Sequence, residues 1–144
     1  MHFVTGGAYN GKAKWVRDFY HFEGTYQWHS AYKGDVLPEK LSPQNANIVV
    51  FEGIEYWLKQ RINNLELDQI RKEWKRFINE WKTIDDSTHN ATIILIGTDI
   101  TKGIVPLNET DRKWRDLTGW VYQDIVRNAN RVDTIWYGLN QRLK

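Results

Sequence analysis

Apolar residues along this chain follow two different periods. Four short runs are apolar or nearly so: His2–Thr5, Ile48–Phe51 ending at Glu52, Ala91–Ile96 and Val132–Tyr137. Runs of that length bounded by polar residues predict strands, and the unbroken ones predict strands buried on both faces of a sheet. Between them the period is helical. Trp15, Phe19 and Phe22 share a face, as do Ile70, Trp74, Phe77 and Trp81, and again Trp114, Leu117, Val121 and Ile125. These stripes predict helices from Lys14, over Leu67–Lys82 and over Asn108–Asn128, with another over Gly53–Arg61. Glu23–Asn47 is polar and punctuated by Gly24, Gly34, Pro38 and Pro43, which predicts a loop, and Asp85-Asp86-Ser87 predicts a turn. Strands alternating with helices imply an α/β fold in three layers around a mainly parallel sheet.

Composition narrows the chemistry. A length of 144 residues predicts a single domain over 1–144. Twenty basic and 18 acidic residues leave a formal charge of only +2, which gives no electrostatic case for nucleic acid. The absence of cysteine excludes thiolate nucleophiles and thiolate metal sites. No apolar run approaches the roughly 20 residues of a membrane span, and the first residues read as a strand rather than a leader, so the expected location is cytoplasmic. Four of the eight tryptophans, Trp15, Trp74, Trp81 and Trp114, fall on the helical stripes and read as core; Trp28, in the polar stretch, leaves a ligand-facing role open.

Gly6-Gly7-Ala8-Tyr9-Asn10-Gly11-Lys12 fits G-x-x-x-x-G-K, between the first predicted strand and the first predicted helix. In such a loop successive backbone N–H groups face one concavity and bind phosphate, helped by the positive end of the helix dipole. Lys12 would reach the β- and γ-phosphate oxygens of GTP or ATP, with Gly6, Gly7, Ala8, Tyr9, Asn10, Gly11 and Ala13 completing the cradle. The fold expected is therefore a P-loop three-layer sandwich. Position 13, where Ser or Thr normally ligates Mg²⁺, is Ala13, so the loop lacks its metal-binding hydroxyl.

Ligands of open parallel sheets lie beyond the carboxyl ends of the strands. That rule gathers the loop, Glu52 after the second strand, and Thr98-Asp99 after the third. Lys12, Glu52 and Asp99 are then candidate catalytic groups, and the two acids are candidate ligands for a weakly held Mg²⁺. A helix cap or a solvated loop acid is the alternative for each.

The segment from Gly97 to Gly119 is more specific. It contains Gly103, Ile104, Val105, Pro106 and Asn108, followed by Arg112, Arg115, Asp116, Gly119 and Gln123. Asn108 also reads as a helix N-cap, and a glycine within a helix, as at 119, implies a closely packed neighbour. This pattern resembles the bifunctional adenosylcobinamide kinase / adenosylcobinamide-phosphate guanylyltransferase family of cobalamin biosynthesis. That family carries G-x-G-I-V-P-x-N and then R-x-F-R-D-x-x-G-x-x-N-Q. The glycine loop, Glu52 and Gly138–Lys144 are similar to family segments as well. The resemblance implies an NTP-dependent transferase acting on adenosylcobinamide, with Arg112 and Arg115 at the nucleotide and an oligomer, a trimer, as the assembled form.

The departures from the family pattern are Asn10, Ala13, Thr98-Asp99, Trp114 and Tyr122, together with a short Glu23–Asn47. In the family that stretch holds a strand and a helix bearing the histidine that accepts GMP. His29 is the only histidine left there, His21 lying on the first helix, so His29 is the candidate acceptor and guanylyl transfer is expected to be impaired. The alternative is a non-catalytic relative that binds nucleotide or corrinoid and has lost the chemistry.

Overall fold

The computed structural model describes residues 1–41, 46–87 and 91–144; the predicted break at Pro43 lies outside these residues. Among the described residues the elements are β1 (His2–Thr5), α1 (Lys12–Tyr20), β2 (Tyr26–Ser30), a 3-10 turn (Ala31–Lys33), β3 (Ile48–Glu52), α2 (Ile54–Ile62), α3 (Leu67–Ser87), β4 (Thr92–Ile96), α4 (Glu109–Asn128), β5 (Arg131–Trp136) and β6 (Leu139–Arg142). They form one sheet in the order β2-β3-β4-β1-β5-β6. All neighbours are parallel except β5 and β6. The sheet is thus mostly parallel and the fold α/β, as the alternation of runs and stripes implies.

Alternation along the strands sorts side chains to two faces. Phe3, Val49, Phe51, Ile93, Leu95 and Val132 join the larger core with Trp57, Ile70, Trp74, Trp81, Leu117 and Val121 from α2, α3 and α4. Val4, Val50, Ile94, Ile96 and Ile135 meet Val16 of α1 on the other face. The stripe predicted for α3 is buried as expected, and so are Leu117, Val121 and Ile125 of α4, whereas Trp114, expected in the core, is only half-buried. Asn108 caps α4, its side chain accepting from Thr110 N–H at 2.8 Å.

Several details depart from the sequence reading. The polar stretch after α1 holds strand β2, which pairs with β3 in the register Tyr26↔Ile48 to Ser30↔Glu52. It was hidden because an edge strand with one solvated face has no apolar run. The turn expected at Asp85–Ser87 is the last turn of α3. Asp85 has tertiary partners there, accepting from Ile93 N–H at 2.8 Å and from the chain's amino terminus. Helix α1 stops at Tyr20, leaving Phe22 outside it and Phe19 exposed, stacked on Trp15 at 4.8 Å. Gly119 faces Thr101, but a Cβ there would sit at an ordinary 3.5 Å, so no close approach demands the glycine.

Candidate functional site

The glycine loop joins the end of β1 to the start of α1. Gly6 has φ 138°, and a Cβ there would come within 2.2 Å of the Ile135 carbonyl oxygen on β5, so the position admits only glycine. Gly11 caps α1 in the left-handed region at φ 85°. Asn10 ties the loop to the β5–β6 turn: its carbonyl accepts from Gly138 N–H and its side-chain oxygen from Tyr137 N–H, each at 2.9 Å. Tyr137 and Gly138 both have positive φ, as a two-residue hairpin turn requires. Asn10 thus braces the loop against the β5–β6 turn.

Lys12 is folded back over the loop, donating to the Gly7 carbonyl at 2.8 Å and the Gly6 carbonyl at 3.3 Å. Burial lowers its pKa below the ordinary lysine value, against an opposing pull from Glu55 and Glu52. The loop opens onto a cavity of about 650 Å³ whose far walls are Tyr32, Glu52, Glu55, Tyr56, Thr98 and Trp114. Glu52 is half-buried and accepts one hydrogen bond, from the indole N–H of Trp28 at 2.9 Å. That explains Trp28: it orients Glu52, while Arg17 covers its ring at 3.9 Å.

Glu55, in the first turn of α2, is the cavity-lining acid that sequence reading missed. It is buried and accepts from Tyr32 Oη, from Thr98 N–H at 2.9 Å and from Tyr122 Oη at 3.0 Å. Tyr122 also reaches the Thr98 carbonyl at 3.0 Å, and Gly97 leaves the room for its hydroxyl. Burial, reinforced by Glu55, raises the pKa of both Tyr32 and Tyr122, so both stay protonated donors. Trp114 donates to the Glu55 backbone carbonyl at 2.6 Å and carries Lys59 over its ring at 4.2 Å. The signal available in the sequence was an acid three residues after Glu52, which on its own reads as an ordinary N-terminal helix charge.

The other sequence candidates lie elsewhere. Asp99 donates its backbone N–H to Gly6, but its carboxylate accepts from Thr101 N–H at 3.0 Å and Thr101 Oγ1 at 2.6 Å, with Lys102 at 3.6 Å. Burial alone would raise its pKa, yet the Thr101 and Lys102 contacts outweigh burial and hold it low. Asp99 and Arg115 line a second hollow beside β1, β5 and α4, apart from the loop cavity. The structure therefore separates Glu52 from Asp99, which the strand-end rule had put together. Arg112 turns to the carbonyls of Pro106 and Leu107. His29 faces the larger core, stacked on Phe51 at 5.5 Å, because the β2–β3 register sets it beside Phe51 rather than beside Glu52. It does not line the loop cavity. After β2 comes a single 3-10 turn, and residues 31–41 hold no α-helix of the kind that carries the family's acceptor histidine.

No helix among the described residues is long and apolar enough to cross a membrane. A search of curated proteins gives no match to this chain. The family model for cobinamide kinase / cobinamide phosphate guanyltransferase matches residues 23–143, most of the chain, beginning just after α1 and running through Glu52, the Gly103–Asn108 loop and α4. The glycine loop precedes the matched region, and its standing rests on its own geometry at the end of β1. With the mostly parallel sheet, the loop cavity and a match of that extent, the chain belongs to the cobinamide kinase / cobinamide phosphate guanyltransferase family.

Proposed function

We propose that the protein transfers the terminal phosphate of ATP or GTP to the hydroxyl of cobinamide. One observation carries this reading: the glycine loop at the start of α1 and the Glu52 carboxylate, which has an oxygen to spare, line the same cavity. The loop's N–H groups and the α1 dipole would hold the polyphosphate. Lys12 would swing from the Gly6 and Gly7 carbonyls onto the β- and γ-oxygens. The acceptor hydroxyl gives its proton to Glu52 as its oxygen bonds to the γ-phosphorus. The bond from that phosphorus to the β–γ bridging oxygen breaks, and the nucleoside diphosphate leaves. Such transfer depends mainly on positioning and charge neutralisation.

The family's reaction implies Mg²⁺, and the residues here offer it little. Ala13 has no oxygen to give, and no group of three His, Cys, Asp or Glu side chains stands together among the described residues. Glu52 is the cavity acid with an oxygen free for such an ion, whose contribution when bound would be to screen the phosphate charge. We infer also that GMP transfer through a histidine is impaired, since His29 faces Phe51. Ala13 and the placement of His29 favour a second reading, a nucleotide- or corrinoid-binding relative without turnover. A cytoplasmic homo-oligomer acting through one domain completes the proposal.

The test is incubation with ATP or GTP labelled at the γ- or the α-phosphate, with and without cobinamide. Transfer of γ-label to cobinamide, with no α-label left on the denatured protein, is the expected result. Nucleotide binding by calorimetry without transfer would favour the non-catalytic reading, and no binding at millimolar nucleotide would sink both. Acid-labile α-label on wild type that disappears in His29→Ala would restore the histidine route.

A further inference from the structure

The geometry points to the exposed rings of Trp136 and Tyr137, at the tip of the β5–β6 hairpin, as the shelf on which the nucleobase of the bound triphosphate stacks. This deepens, and rests on, the phosphoryl-transfer reading of the glycine loop. In-line transfer puts the attacking and leaving oxygens on opposite sides of the phosphorus. The acceptor gives its proton to Glu52, which ends β3, so the acceptor comes from the β3 side of the loop. The diphosphate and its nucleoside therefore lie toward the other side. In the order β2-β3-β4-β1-β5-β6 that side is β5 and β6. Ligands of such a sheet sit beyond the carboxyl ends of its strands, and β5 ends at Trp136. The hairpin tip adjoins the phosphate cradle. The Tyr137 and Gly138 N–H groups donate to Asn10, each at 2.9 Å, and a Cβ on Gly11 would meet Gly138 Cα at 3.6 Å.

The turn itself carries the second observation. A two-residue hairpin turn with positive φ at both positions favours asparagine then glycine, because a bulky side chain resists the left-handed region. Here the first position is Tyr137, at φ 51°, and the second is Gly138. Tyr137 is 82% exposed, so burial of its ring does not offset that strain. Backbone strain of this kind gathers where a ligand is gripped. Trp136 is 53% exposed at the end of its strand, its ring 5.6 Å from that of Tyr137 and beneath the Lys102 ammonium at 5.6 Å. Stacking needs only an open ring face, so the shelf takes adenine and guanine alike. The rings fix the nucleoside end of the ligand while the loop fixes its phosphates, which sets the γ-phosphorus relative to Glu52.

The experiment measures binding of ATP, GTP and inorganic tripolyphosphate by calorimetry, with unfolding temperature and sedimentation read on the same variants. Trp136→Ala and Tyr137→Asn should each weaken both nucleotides by about fivefold or more and change tripolyphosphate affinity by less than about twofold. Tyr137→Asn gives the turn its preferred residue at positive φ, so it should also raise the unfolding temperature by about 2–4 °C. Stability gained and nucleotide lost together is a result that a merely structural tyrosine would not give. Unchanged nucleotide affinity in both variants overturns the shelf and leaves the phosphate site standing. Equal losses for nucleotide and tripolyphosphate overturn it too, since the hairpin then only braces the loop. A variant that loses assembly in sedimentation, with nucleotide affinity kept, assigns the rings to a contact between copies of the chain and refutes the shelf. Wild type that binds neither nucleotide nor tripolyphosphate refutes the phosphate-loop reading itself, and the shelf with it.

Discussion

Removing the Glu55 side chain should destabilise the fold by a calculable amount. Glu55→Ala strips an acceptor from three donors with different fates. Tyr122 keeps a partner, because its hydroxyl also reaches the Thr98 carbonyl at 3.0 Å. Tyr32 is half exposed and can turn to water, so its loss is small. The Thr98 N–H, partly buried and held at 2.9 Å, has no second acceptor in view; a buried donor left unpaired costs about 1–3 kcal/mol, and partial burial places this one in the lower half of that range. The void left by the missing carbons of a residue only 3% exposed adds about 1 kcal/mol. The expected total is therefore roughly 2–3 kcal/mol. Equilibrium urea unfolding followed by tryptophan fluorescence measures it, since Trp114 and Trp57 lie on the elements involved. A loss under about 0.5 kcal/mol would show that the network does not hold the β4–α4 connection and would refute the reasoning.

Three further outcomes follow from other parts of the structure. His2 is buried between Tyr20 Oη at 2.7 Å and Asp133 at 2.9 Å, and burial lowers its pKa from 6.5 to about 4, against the pull of Asp133. Between those two pH values the unfolded chain binds a proton that the folded chain does not. Stability should therefore fall as pH drops through that window, by on the order of 3 kcal/mol, and level off for this group below it. Urea melts at both ends of the window should show a shallower fall in His2→Gln, and an unchanged fall would assign the acid sensitivity to other groups. Lys12→Ala should weaken ATP about ten- to a hundredfold, as expected for a charged hydrogen-bond partner, and calorimetry finding no change would remove Lys12 from the site. Ala13→Ser should increase the effect of Mg²⁺ on nucleotide affinity; a strong Mg²⁺ dependence already present in wild type and unmoved by the serine would mean another residue ligates the ion.

The sequence alone determined the elements whose burial is written in their period. Ile48–Phe51 and Ala91–Ile96 are apolar enough to be central strands, and the Trp74–Trp81 stripe fits only a helix on a core. The glycine loop was legible because Gly6 and Gly11 need backbone angles that other residues resist, and the Gly103–Asn108 pattern carried the family. Strands β2 and β6 escaped notice because edge strands are held by backbone hydrogen bonds to one neighbour, which side-chain pattern does not encode. The site was decided by register and packing. Parallel pairing of Tyr26 with Ile48 sends Trp28 toward Glu52 and His29 toward Phe51. The β4–α4 connection gives Asp99 to Thr101 and Lys102, on the far side from Glu52. Glu55, Tyr32, Thr98 and Tyr122 are scattered over ninety residues of chain, and no local spacing relates them. They meet because a buried carboxylate must find donors, and only the folded sheet brings those donors within reach.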